Sequence, residues 1–130
     1  MISERTEFEH WETICSDLKD LYFVSLKDEK ELVFTVRDNS NKYEFIFNGW
    51  IGPYLVSDES LRSSSTQISN PPHSRTFIIK NSDLIPLFNP GTFDVTFHNK
   101  TVRHYVIHTY DSCLEILTDK EPIVKATPLK

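Results

Sequence analysis

His98, His104 and His108 are the residues whose types and spacing come closest to chemistry in this chain. Histidine titrates near neutral pH and ligates metals through a ring nitrogen, so such a group invites both readings. Alternation of apolar and polar residues places the last two on one strand. There His104 and His108 share a face but stand roughly 13 Å apart, too far for one metal ion without a bend. In a hairpin register His98 points to the other face. No metal and no cofactor is expected. A general-base role for His104 or His108 stays open, with Asp111 or Glu115 as the orienting carboxylate, although no nucleophile stands at a telling spacing. The plainer alternative is a buried His104 with a satisfied hydrogen bond.

Three other groups merit the same weighing. Asp58 and Glu59 beside Arg62 form either a ligand clamp or a solvated loop. Trp50 and Tyr54, flanking a Gly-Pro step, make either an aromatic binding lip or a cap on the core. Acidic residues are the one consistent feature. Glu4, Glu7, Glu9 and Glu12 come before the first apolar strand, and Asp58, Glu59, Asp111, Glu115, Asp119 and Glu121 lie around the later loops and last strands. Carboxylates on a rigid scaffold can mimic phosphates, block a basic cleft and steer a basic partner into contact. Spacing alone does not bring them onto one surface. Phosphate-binding glycine loops and the signatures of zinc proteases and serine hydrolases are absent, and the chain has only three glycines.

The elements that must position these residues follow from periodicity. Phe8, Trp11, Ile14, Cys15 and Leu18 recur at helical steps, and Thr6 with Glu9 has capping-box spacing, so a helix is expected from Thr6 to Lys19. Leu21 to Lys27, Glu31 to Arg37 and Lys42 to Phe47 alternate as a three-stranded meander. Pairing Leu26 with Leu32, Val24 with Phe34 and Tyr22 with Val36, and then Val36 with Tyr43 and Phe34 with Phe45, collects the large apolar residues on one face. Gly49 to Tyr54 is expected to break the strand. Residues 57–74 read as a long, polar, Ser-rich loop. Thr76 to Lys80 reads as a strand, Asn81 to Phe88 as a short helix, and Phe93 to His98 with Thr101 to His108 as a hairpin. Cys113 to Thr118 and Ile123 to Ala126 are the last strands.

Composition narrows the function classes. The 130 residues include 19 acidic and 14 basic side chains, a formal charge of −5. Nucleic-acid binding draws on a basic surface that displaces phosphate counterions, so no nucleic-acid partner is expected. Met1 to Asp20 is dense in charge and lacks the apolar core of a signal peptide, and no apolar run approaches the ~20 residues of a membrane span. Cys15 and Cys113 have no CxxC spacing. The expectation is a cytoplasmic chain with reduced thiols and no membrane partner.

The segment His104-Tyr105-Val106-Ile107-His108-Thr109-Tyr110-Asp111, followed by Cys113-Leu114-Glu115-Ile116-Leu117 and Glu121-Pro122, resembles a pattern in small bacterial immunity proteins. These are the partners of polymorphic and contact-dependent growth inhibition toxins. Phe45 to Gly49 with Asp58 to Arg62 is similar to the middle section of the same group. The resemblance covers about two-thirds of the chain. It implies binding and neutralising one cognate toxin in the cytoplasm. It carries over no contact residues, because each such pair evolves its own interface.

The combined expectation is a single α+β domain over residues 1–130. Its N-terminal helix packs on an antiparallel, strongly curved sheet of about six or seven strands. Its expected function is protein-binding inhibition of a cognate toxin with a basic domain, without catalysis. The expected partner-binding residues are Asp58, Glu59, Arg62, Asp111, Glu115, Asp119 and Glu121. The alternative is a small-ligand module or small enzyme, with a pocket in the curved sheet lined by Trp50, Tyr54, His104, Tyr105 and His108.

Overall fold

A computed structural model describes residues 7–58, 74–82, 85 and 102–129. Among them the chain forms strands β1 (Phe8–His10), β2 (Tyr22–Asp28), β3 (Leu32–Arg37), β4 (Asn41–Phe47), β5 (Ile51–Asp58), β6 (Thr76–Ile79), β7 (Arg103–His108), β8 (Ser112–Thr118) and β9 (Ile123–Pro128). They build two antiparallel sheets, one ordered β1-β6-β7-β8-β5 and the other β2-β3-β4-β9. The architecture is therefore a stack of two sheets, and the expected α+β fold with one strongly curved sheet is wrong.

The expected N-terminal helix is also wrong, and the reason is local. Phe8–His10 instead adds a strand to the edge of β6, pairing Phe8 with Ile79 and His10 with Phe77. Beyond it the hydroxyls of Thr13 and Ser16 take the backbone groups that a helix would use. The Cys15 amide donates to Thr13 Oγ1, the Thr13 amide to Ser16 Oγ, and Ser16 Oγ and Thr76 Oγ1 both donate to the Trp11 carbonyl. Such competition is why Ser and Thr favour turns over helix interiors. The apolar stripe still reports burial in part. Trp11 and Cys15 are buried, but Ile14 is 54% exposed.

Alternation makes β3 and β4 readable. Their register pairs Leu32 with Phe47, Phe34 with Phe45 and Val36 with Tyr43, as the meander requires, and all six side chains are buried. The β2–β3 pairing departs from expectation. Leu26 meets Phe34 rather than Leu32, and a bulge at Val24 lets Phe23 meet Val36. One inserted residue reverses the side-chain alternation. Phe23 consequently stacks on Phe34 at 5.3 Å, while Val24 is 47% exposed. The Arg37–Lys42 pairing does form, and the Arg37 guanidinium lies over the Tyr22 ring.

The strand does end at Phe47, but Ile51 to Tyr54 of the expected break open a new strand, β5, which crosses to the edge of the other sheet and pairs with β8, with a bulge between Ile51 and Tyr54 that accommodates Pro53. Proline is tolerated at an edge or a bulge because no ladder bond is lost there. Residues 59–73 of the expected loop, most of the expected short helix and the Phe93–His98 strand lie outside the described residues.

The shared core lies between the sheets. Phe34, Phe45 and Phe47 from one sheet meet Tyr105, Ile107, Leu114 and Ile116 from the other, with Trp11, Cys15 and Leu21 in the same cluster. The other face of the five-stranded sheet carries a smaller apolar cluster, Phe77, Ile79, Val106 and Cys113, with Phe8 against it. Among the described residues no helix is long and apolar enough to cross a membrane.

Candidate functional site

Two polar constellations stand on opposite faces of β7, and both are set by strand alternation. Tyr105 points inward, toward the other sheet, and its neighbour His104 points outward.

On the inner face Glu9, Ile78 and Tyr105 form one row across β1, β6 and β7. Trp11 follows Glu9 into the space between the sheets, with its ring 4.8 Å from that of Tyr105 and 6.0 Å from that of Phe45. Trp11 and Tyr105 line a cleft of about 450 Å³. Glu9, Glu12, Asp119 and Glu121 line it together with His10 and Arg103. The carboxylates arrive by separate routes. Glu9 lies in β1 and Glu12 just beyond it, while Asp119 and Glu121 follow β8. The Trp11 Nε1–H donates to Glu121 Oε1 at 2.7 Å, tying segments 110 residues apart. The Trp50 amide donates to Asp119 Oδ1 at 2.7 Å. Gly49 is required beside it, because a Cβ there would run into that carboxylate. Glu12 pairs with His10 at 2.7 Å, and Arg103 reaches Glu9 only at 3.8 Å. The cleft is thus acidic, with four carboxylates against one guanidinium. Burial pushes the Tyr105 hydroxyl above its ordinary pKa. Arg103 pulls it down, and Glu121, Glu9 and Asp119 push it up.

On the outer face His104 is fully buried between two partners. Ser82 Oγ lies 2.7 Å from its Nδ1 and Glu115 Oε1 lies 3.0 Å from its Nε2. Ser82 is 9% exposed and Glu115 1%. The expected orienting role of Glu115 has its geometry here, and Ser82 is the hydroxyl that sequence spacing did not reveal. Both ring nitrogens of His104 are engaged and the group is closed off from water, which is the arrangement of a buried polar network.

The expected site residues separate accordingly. Asp119, Glu121 and Tyr105 come together in the cleft. Glu115 belongs to the buried network and is not on a surface. Asp58 ends β5, at the opposite edge of the sheet from β1. Asp111 lies in the β7–β8 turn, where Oδ1 accepts from the Phe23 amide and the Thr109 hydroxyl. Glu59 and Arg62 lie outside the described residues. The expected pocket does not assemble, because His104 and Tyr105 occupy opposite faces of the sheet. Tyr54 is instead exposed and donates to Asp28 Oδ2 at 2.8 Å, Trp50 caps the β8 end, and His108 lies beside Arg75 and Ser74. Glu9, Glu12 and Trp11 are the cleft residues that the list of expected contacts omitted. Their helical spacing concealed a strand and turn that carry them to the other end of the chain.

Among the described residues no group of three or more His, Cys, Asp and Glu is arranged to hold a metal ion. The chain matches no family model, and no curated protein or solved structure is significantly similar to it.

Proposed function

We propose that this protein is a cytoplasmic protein-binding inhibitor, an immunity protein that neutralises a cognate toxin bearing a basic surface. The observation that carries the reading is the convergence of Glu9, Glu12, Asp119 and Glu121 on one cleft. A rigid two-sheet scaffold fixes these charges before binding, so little ordering entropy opposes association. The outward face of the four-stranded sheet, by contrast, presents Arg37, Lys42 and Lys125 against Glu44. A local cluster of acidic charge orients an approaching basic partner and raises its association rate. The resemblance of the His104–Asp111 and Cys113–Leu117 segments to immunity proteins points the same way.

The test is affinity capture by the tagged chain from its source cells, at low and moderate salt. It is run beside a variant carrying Glu9→Gln, Glu12→Gln, Asp119→Asn and Glu121→Gln. The expected result is one stoichiometric basic partner that the variant loses while its thermal melt is kept. That partner should arrest growth when expressed alone and be silenced by co-expression of this chain. Equal capture by the variant, or a partner that is harmless by itself, overturns the reading.

A further inference from the structure

We infer that β9 is a docking edge for a second copy of this chain, the two β9 strands pairing antiparallel about a two-fold axis at Ala126 and joining the four-stranded sheets into one. This goes beyond the function proposed above and uses a different part of the molecule.

A sheet edge carries a row of unpaired backbone groups, and proteins blunt such edges by shortness, bulges, proline or charge. Three of the four edges here are blunted by shortness or a bulge. β1 has three residues. β2 is bulged between Phe23 and Ser25, and the Phe23 amide already donates to Asp111 Oδ1. β5 is bulged between Ile51 and Tyr54 and contains Pro53. β9, in contrast, runs beside β4 in an unbroken register from Ile123 to Pro128, and five of its six residues are exposed. Among the described residues no strand pairs with its far side.

One hydrogen bond fixes which backbone groups of β9 face that open side. The Leu129 amide donates to the Ser40 carbonyl at 2.9 Å. Along an antiparallel strand successive residues address opposite neighbours. Thr127, Lys125 and Ile123 therefore address β4, whereas Val124, Ala126 and the Pro128 carbonyl address the open side. Pro128 stands where its missing N–H takes nothing from the β4 ladder.

The side chains select the register. Ile123 is 51% exposed and Leu129 40%. An even number of residues separates them, so they lie on one face. A two-fold axis at Ala126 sets Ile123 against Leu129 of the second copy, and Leu129 against its Ile123. Both exposed apolar side chains gain an apolar neighbour. Lys125 then faces Thr127 of the second copy, and its neighbour on β4 is Glu44. An axis at Lys125 would oppose two lysines, and an axis at Val124 would set Ile123 against a lysine, both less favourable. With the axis at Ala126, the Ala126 amide donates to the Ala126 carbonyl of the second copy and the Val124 amide to its Pro128 carbonyl. The contact uses the same edge of both chains, so it closes at a dimer.

The intact chain is followed by sedimentation equilibrium over a range of concentration. Its mass should rise from 15.2 kDa toward twice that value. The dissociation constant should be on the order of 10–100 μM, as befits a small interface. Ala126→Pro removes the central donor of the open side without touching the β4 ladder, and should stay monomeric with its thermal melt kept. Ile123→Lys changes an exposed side chain only and should weaken the dimer by at least about ten-fold. Thr127→Glu places a carboxylate opposite Lys125 of the second copy and should tighten it by about two- to five-fold at low salt. Leu55→Lys, on the β5 edge, should dimerise like the unaltered chain. A mass of 15.2 kDa at every concentration overturns the inference. So does an undiminished dimer in Ile123→Lys, a dimer lost in Leu55→Lys, or one that Thr127→Glu does not tighten.

Discussion

Two Glu–His pairs of nearly equal length lie in this protein in opposite surroundings. Glu12 and His10 are 2.7 Å apart at the rim of the cleft, with side chains 66% and 63% exposed. Glu115 and His104 are 3.0 Å apart and completely enclosed, at 1% and 0%. In water the Coulomb gain of the first pair is small and offset by side-chain ordering. In the interior the second pair is costly to break, because either member left alone keeps its burial and loses a hydrogen-bond partner. The rim carboxylates therefore remain available to an incoming cation, and the enclosed one is committed to the fold. Proximity of like groups does not identify a binding site; solvent access does.

The sharpest way to break this contrast is Glu115→Ala. It should cost about 3–5 kcal/mol of unfolding free energy in urea denaturation, since His104 keeps its burial and loses a partner. His104→Leu combined with Glu115→Leu should recover most of that loss. A double variant as unstable as the single one would mean that the two groups serve more than each other.

Ser82→Ala comes next. It removes the hydroxyl 2.7 Å from His104 Nδ1 and should cost about 1–3 kcal/mol by the same measurement. A loss below about 0.5 kcal/mol would show that the network closes without it.

Asp38 separates hydrogen bonding from enclosure. Burial pushes its carboxyl up, but hydrogen bonds from the Asn41 and Ser40 amides and the Tyr43 hydroxyl outweigh this and hold it below the usual value. A carboxyl depressed in the folded state stabilises fully above its unfolded pKa of about 3.9, and the stabilisation fades as pH falls through the lower folded value. The melting temperature should therefore fall below about pH 4 in the unaltered chain, and less steeply in Asp38→Asn. Equal slopes would remove the turn from the account.

The smallest effect belongs to Glu12→Gln. Unfolding free energy should change by less than about 0.5 kcal/mol, because the His10 pair is exposed. A loss above about 1 kcal/mol would erase the distinction between rim and interior.

How far such features can be read in advance depends on how local their cause is. The Phe34–Phe45 and Val36–Tyr43 pairs are legible because a slip of one residue would turn an entire apolar row to water. The pairing of β2 is not, because Val24 and Phe23 are both apolar and nothing in their order announces a bulge. The stretch from Phe8 to Leu18 satisfies helical spacing, yet the open edge of β6 and the hydroxyls of Thr13 and Ser16 offer its backbone better partners. Isolated helices of that length are marginal in water, so tertiary contacts decide.

For the candidate site, the amino-acid order alone determined that the chain is acidic and that β3 and β4 pair as they do. Alternation of two residues per repeat is a property of the backbone and needs no partner to be known. Only the tertiary structure decided which carboxylates meet. Glu9 and Glu12 reach Asp119 and Glu121 because β1 closes on β6 while β7 and β8 bring the end of the chain to the same rim. It likewise took Glu115 out of reach and placed Ser82 against His104. Contacts across such separations depend on which strand edges find each other, and that choice is made by burying the sheet faces together rather than by any residue's immediate neighbours.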